Sequence, residues 1–318
     1  MMDKKPKGMY HWYKDVISDY HEDKKDGKFL SQKVYEYDSG TGEITKELQV
    51  HIYKPANLGP SMIIDEKMIG HKYTVIISNE QTGKIALLLD TMKPELIGQA
   101  IQLFDVNELS KVKNVCSDMS PMMKRIINQY MPNATNTIDK YHVIKQIIDA
   151  LNGERLKIKR EIRQSDEVNN DNPNGWTDLE FLEKCRYWLY IRKSNQTQEQ
   201  KEYLGKLYLK FPTLNQAVDL TEEIRSWYDA KNIGVHQWQL EKQLDRWLVK
   251  VEQSTLTTFK FLIKLFEKHL DQILGYFKLG QTSAKAENLN GRIQRFLINS
   301  YGTRDRDFFF YRVQVYFS

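Results

Sequence analysis

The chain has 318 residues, 41% of them hydrophobic and 28% charged, and its 47 Lys and Arg against 42 Asp and Glu leave a net charge of +5. That length and apolar content provide for one large or two ordinary folded domains and exclude a disordered chain. The mild basic excess fits a protein that touches nucleic acid on one face and fits an ordinary soluble enzyme equally well. The two cysteines, Cys116 and Cys185, stand in no CxxC pair, which excludes a zinc ribbon, argues against a disulfide framework and points to a reducing compartment.

The opening MMDKKPKGMYHWYKD is basic but leads into no apolar segment, so it does not read as a signal peptide. No run approaches the roughly 18 uninterrupted apolar residues of a membrane span. Even FLIKLFEKHLDQILGYF carries Lys264, Glu267 and Asp271. A cytoplasmic protein without a membrane partner is expected.

Residues 1–58 are polar and mixed, with a hairpin pattern in KVYEYDSGTGEITKELQVHIY around the turn residues SGTG. From Pro60 the runs SMIIDE, HKYTVIISN and GKIALLLD, separated by IG and EQTG turns, read as an antiparallel meander. PELIGQAIQLF follows as a helix with Pro94 in its first turn. Then come VKNVCSD as a strand, SPMMKRIINQYM as a helix with Ser120 as cap and Pro121 at its first position, and ATNTID as another strand. Strands joined through helices need crossovers, so these later strands should run parallel to a neighbour in the meander. The order β-β-β-α-β-α-β-α is that of an RNase H-like, mixed five-stranded sheet with flanking helices. From about Lys140 to Gly280 the pattern is helical, broken by SDEVNNDNPNG and a turn near FPT. The expected organisation is an N-terminal extension over 1–58, an α/β domain over 59–163 and 282–318, and a large all-helical insertion over 164–281.

The helical block holds Trp176, Trp188, Trp227, Trp238 and Trp247. Helix-spaced aromatics belong mostly to cores, while an exposed one, Trp238 first, would serve as a stacking platform for a DNA base. P-loop, GxGxxG, HExxH and nucleophile-elbow patterns are absent.

Three acids stand out by their settings: Asp65 follows the apolar run of MIIDE, Asp118 ends VKNVCSD, and Glu287 opens the helical run AENLNGRIQRF. Taken singly, an Asp at a strand end is a turn or cap residue in most proteins. Taken together, two carboxylates at strand ends and a third on a distant helix are how a two-metal phosphoryl-transfer site is commonly assembled, because Mg²⁺ needs few protein carboxylates beside water and phosphate oxygens.

The segments GPSMIIDE, HKYTVIISNEQTGKIALLLD, VCSDMSPMMKRIINQYMPNATNTIDKYHVIK and AKAENLNGRIQRFLINSYGTRDRDFFFYRV resemble the DDE transposases of bacterial insertion sequences, specifically the ISL-type family. The resemblance covers roughly 58–163 and 282–315. It implies that Asp65, Asp118 and Glu287 form a triad holding two Mg²⁺ or Mn²⁺ ions for DNA cleavage and strand transfer at the element's ends. It implies DNA ends and target as partners, and a homodimer during synapsis. Asp139 and His142 match a D-x-x-H element that would order the site or touch the flanking strand, or else are a helix-capping Asp and a half-buried His. Asn290, Gly291 and Gln294 follow Glu287 at helical spacing and would offer amides and a close backbone approach to DNA. Leu289, Ile293, Phe296 and Leu297 would dock that helix on the sheet.

Two basic clusters are candidate phosphate contacts: Arg155, Lys157, Lys159, Arg160 and Arg163 in ERLKIKREIR, and Arg292, Arg295, Arg304, Arg306 and Arg312 near the C-terminus. Such runs are more often simply solvated faces. Asn288 stands where family members commonly have Gly. The family's N-terminal zinc ribbon or helix-turn-helix finds no counterpart ahead of Gly59, so a separate recognition subunit is expected, or that function is lost. The competing readings are a structure-selective nuclease on the same fold and a non-catalytic DNA-binding or regulatory remnant.

Overall fold

The computed structural model describes residues 9–165, 169–279, 284–300 and 305–318, with backbone alone for 9, 10, 230, 279 and 284–287. The chain forms two compact units, Met1–Asp139 with Gln281–Ser318, and Lys140–Gly280. The boundary falls at Asp139, where the last strand has just ended, ahead of the expected position near 163. Among the described residues no helix is long and apolar enough to cross a membrane.

The first unit is built on a sheet of seven strands: β1 (Gln32–Tyr37), β2 (Ile44–Tyr53), β3 (Ser61–Ile69), β4 (Lys72–Asn79), β5 (Ile85–Leu89), β6 (Asn114–Ser117) and β7 (Thr135–Ile138). Their spatial order is β1-β2-β5-β4-β3-β6-β7. The meander β3-β4-β5 is antiparallel, and β6 and β7 join it in parallel through β3. These five strands are the mixed sheet of an RNase H-like domain. The expected count of five is too low, because the hairpin β1–β2 joins the sheet through antiparallel pairing of β2 with β5. The physical reason lies in β5 itself. Its residues Ile85–Leu89 are buried on both faces, and an apolar edge of that kind is a site of uncontrolled pairing unless another strand covers it.

Side-chain alternation divides the core into two layers. Met62, Ile64, Val75, Ile77, Leu87 and Leu89 pack against the helices Pro94–Ile101 and Pro121–Tyr130. Those two helices approach closely at Gly98, where a Cβ would run into the Tyr130 ring. On the opposite face Ile52, Ile69, Ile76 and Leu88 meet Leu289 and Ile293 of the helix Ala284–Asn299, together with Phe308, Phe309 and Phe310 of the helix Arg306–Phe317. Phe296 and Leu297 pack at the border of this layer, as the sequence suggested.

The two C-terminal helices run antiparallel. Moving back along the first, Ser300 accepts a hydrogen bond from Arg312 Nη2 (2.9 Å), the Phe296 ring meets Phe317 (6.0 Å between centroids), and Arg292 lies 4.7 Å over the same Phe317 ring. Asp305 caps the second helix by accepting the Phe308 N–H at 3.0 Å.

The second unit has no strand among its described residues. Thr177 with Glu180 and Thr197 with Gln200 form capping boxes that start the helices Asp178–Lys184 and Gln198–Lys210. Trp227 and Trp247 are buried between the helices Pro212–Trp227 and Gln237–Gln253, and each indole N–H finds a carbonyl, Leu240 O at 3.1 Å and Leu220 O at 2.9 Å.

Candidate active site

Strands β3 and β6 pair in parallel with Ile63 opposite Cys116. Carrying that register on by two residues sets Asp65 level with Asp118 along neighbouring strand paths, whose spacing in a sheet is about 4.8 Å. The two aspartates are each half-buried. Asp118 Oδ1 accepts the Ser120 N–H at 2.9 Å and so fixes the turn into the helix Pro121–Tyr130. Ser120 occupies the N-cap position, but its side chain makes no capping bond, contrary to the expectation. The carboxylate of Asp118 supplies the acceptor instead.

Asp65 Oδ1 accepts the N–H of Glu66 at 2.9 Å, and Asp65 Oδ2 accepts the side-chain amide of Asn290. This second bond ties the helix Ala284–Asn299 to β3 on the face where Asp65 lies. Position 287 is one helical turn before Asn290 on that helix. The Glu287 side chain lies outside the described residues, as does Arg304. A Cβ at Gly291 would meet no described protein atom within 4 Å. Among the described residues, which omit the Glu287 side chain, no three His, Cys, Asp or Glu residues form a metal-holding group.

Asp139, 6% exposed, follows β7 and donates its backbone N–H to Ser117 O at 3.1 Å, extending the ladder beyond the last strand residue. The thiol of Cys116 records the charge gathered here. Burial first, then the negative charge of Asp139, with Glu80 and Asp65 adding to it, pushes this thiol well above its ordinary range. His142 lies in the other unit, half-buried in the first turn of the helix Lys140–Gln164, its ring edge-on to Tyr141 at 5.6 Å. Two residues beyond Asp65 on the same strand face, Lys67 has its ammonium pKa lowered by burial, with the Asp65 charge opposing the shift.

The basic candidates divide. Arg155 is 2% exposed and donates from Nη1 to Glu183 (3.0 Å) and from Nε to Asn152 (3.1 Å), so it is an internal ion-pair partner and not a phosphate contact. Lys159 shares Glu183, and Lys157 lies 3.9 Å from Glu154. Arg160, Arg163, Arg292 and Arg295 are exposed. Trp238 is 60% exposed, as the stacking idea requires.

Arg306, read from sequence as one more surface cation, is instead bound to Asp90, a residue whose sequence setting did not single it out. Arg306 Nη2 donates to Asp90 Oδ1 at 2.6 Å, its Nε donates to Asp90 Oδ2, and its Nη1 donates to Ile69 O at 2.8 Å. His51 Nε2 donates to Asp90 Oδ2 at 3.0 Å and Thr74 Oγ1 to Asp90 Oδ1 at 2.7 Å. Burial by itself would raise the Asp90 pKa; the hydrogen bonds from Arg306 and then His51 overcome it and hold the carboxyl well below the usual range. The one sequence signal was the position of Asp90 at the end of the apolar run IALLLD.

A mixed sheet in this order defines an RNase H-like domain; Asp65 stands in the middle of β3 and not at its end as the sequence suggested, level with Asp118 just past the end of the parallel strand β6. Residues 62–313 match the transposase family model of the ISL3-type DDE class, and the chain belongs to that family. It is 20% identical over 251 residues to the transposase for insertion sequence element IS1001 of Bordetella parapertussis, covering 78% of this chain and 58% of that protein. It is also 20% identical over 245 residues to the transposase for insertion sequence element IS1557 of Mycobacterium tuberculosis, covering 74% and 54%. The chain thus spans a little over half the length of these relatives.

Proposed function

We propose that this chain is the catalytic part of a transposase, cleaving DNA strands at insertion-sequence ends and joining them to target DNA in a metal-dependent reaction. The observation that carries the reading is the Asn290–Asp65 hydrogen bond, which draws the Glu287-bearing helix to the middle of β3, where Asp65 stands level with Asp118. Hard carboxylate oxygens level with each other along two adjacent strands suit Mg²⁺ or Mn²⁺, and Asp65, Asp118 and Glu287 would be the holders. Bound there, a pair of such ions supplies Lewis acidity to the attacking and leaving oxygens.

Asn290 orients the Asp65 carboxylate by occupying Oδ2. Exposed Arg292 and Arg295 on the same helix, and Arg160 and Arg163 on the helix Lys140–Gln164, hold phosphates; Lys157 and Lys159 contribute less because acidic neighbours share their charge. Trp238 stacks on an unpaired base. A homodimer brings two ends together, and a separate subunit supplies end recognition. The protein acts in the cytoplasm, at the nucleoid. The test is a Mg²⁺-dependent cleavage and strand-transfer assay on the DNA flanking the gene. Product with Mg²⁺ and none with chelator supports the proposal, and DNA binding without either reaction would favour a regulatory role.

A further inference from the structure

The helical hairpin formed by Ala284–Asn299 and Arg306–Phe317 is pinned to β3 at two points. One is Asp65, held by Asn290; the other is Ile69 O, held by Arg306. The two anchors are four residues apart on one strand, about 13 Å at ordinary strand rise. The Arg306 anchor is far more elaborate. Its guanidinium also grips Asp90 through two nitrogens and reaches Thr74 Oγ1 at 3.3 Å, so a single side chain joins β3, β4 and the end of β5. Phe310, one turn further along the same helix, lies beneath that guanidinium at 4.8 Å and stacks on His51 at 4.2 Å.

Neither group belongs to the proposed metal triad, yet Arg306 begins the helix that packs along the Glu287 helix. We infer that Arg306, braced by Asp90, is a positioning residue. It sets the hairpin on the sheet, and thereby sets where residues 287 and 290 stand relative to Asp65. A planar, two-pronged guanidinium fixes both distance and tilt, which a lysine ammonium at the same place does not. The consequence for a metal site rests on the proposed triad; the consequence for the helix does not.

The experiment uses the full chain with Arg306→Lys and Asp90→Asn, read two ways. Amide hydrogen exchange in 288–299 is compared with exchange in the helix Pro94–Ile101 on the opposite face of the sheet, which serves as an internal reference for global opening. Exchange in 288–299 is expected to quicken by tenfold or more in both variants while the reference helix changes little. Mn²⁺ titration of the same proteins is expected to give about tenfold weaker binding in the variants than in the wild type. Unchanged exchange in 288–299, or quickening shared equally by the reference helix, overturns the positioning role. If the exchange result is as expected but the wild type binds no Mn²⁺, the positioning role stands and the triad reading is what fails.

Discussion

Asn290 donates its side-chain amide to Asp65 across 225 positions of sequence, and this bond joins the helix Ala284–Asn299 to the strand on which the proposed chemistry is built. An amide is suited to that place because it can donate to a carboxylate without adding charge. Asn290→Asp should therefore set two carboxylates against each other, costing about 1–3 kcal/mol at neutral pH. Like charges raise the pair's pKa, so the deficit should shrink as pH falls toward the carboxylate range. Urea unfolding at pH 7 and pH 5 measures it, and an equal deficit at both would contradict the account.

The Asp90–Arg306 pair is nearly dry, and removing one member of such a pair usually costs about 3–5 kcal/mol because the other charge is left buried. Arg306→Met should fall in that range. Because the folded-state pKa of Asp90 is depressed, its contribution is fully present above the ordinary carboxylate pKa of about 3.9 and is lost as pH drops below it. In Asp90→Asn the acid limb of the stability curve should be correspondingly shallower than in the wild type.

Both thiols should be silent in the folded protein. Cys185 is pushed up to about 12 by burial, and Cys116 is held higher by burial and by the acids around it. Reaction with a thiol reagent at pH 8 should be at least ~100-fold slower than in the urea-unfolded chain. Rapid labelling of Cys116 would mean that the part of the sheet around Asp65 and Asp118 is open to solvent.

The two kinds of arginine on the helix Lys140–Gln164 should separate in experiment. Arg155→Ala should lower the melting temperature through loss of the Glu183 pair, with little effect on the salt dependence of DNA binding. Replacing Arg160 and Arg163 by Ala should leave melting nearly unchanged and reduce the slope of log affinity against log salt by about 0.9 for each phosphate no longer neutralised. The reverse pattern would mean that DNA binding remodels this helix.

Much of the sheet was legible from sequence because its signals are local. β-branched runs between Gly-containing turns give the meander, and proline-led helices between the later strands give the parallel crossovers. The hairpin β1–β2 was legible as a hairpin but not as part of the sheet, since its pairing with β5 is a long-range choice dictated by burial of Ile85–Leu89. Asp65 and Asp118 stood out because each ends an apolar run. Arg306 and Arg155 were misread for one reason: a cation's sequence neighbours do not reveal a partner carboxylate from another element, Asp90 in one case and Glu183 in the other.

The most direct test of the central claim is strand cleavage by the wild type and by Asp118→Asn on a DNA fragment carrying the element's end, with Mg²⁺ and with chelator. Asp118 is the informative position because its carboxylate is half-buried, makes one backbone hydrogen bond to Ser120, and can be replaced by an isosteric amide without disturbing the sheet. The account predicts Mg²⁺-dependent cleavage by the wild type and a loss of at least ~10³-fold in Asp118→Asn, with DNA affinity and melting temperature close to the wild type. Cleavage by Asp118→Asn at the wild-type rate would contradict it.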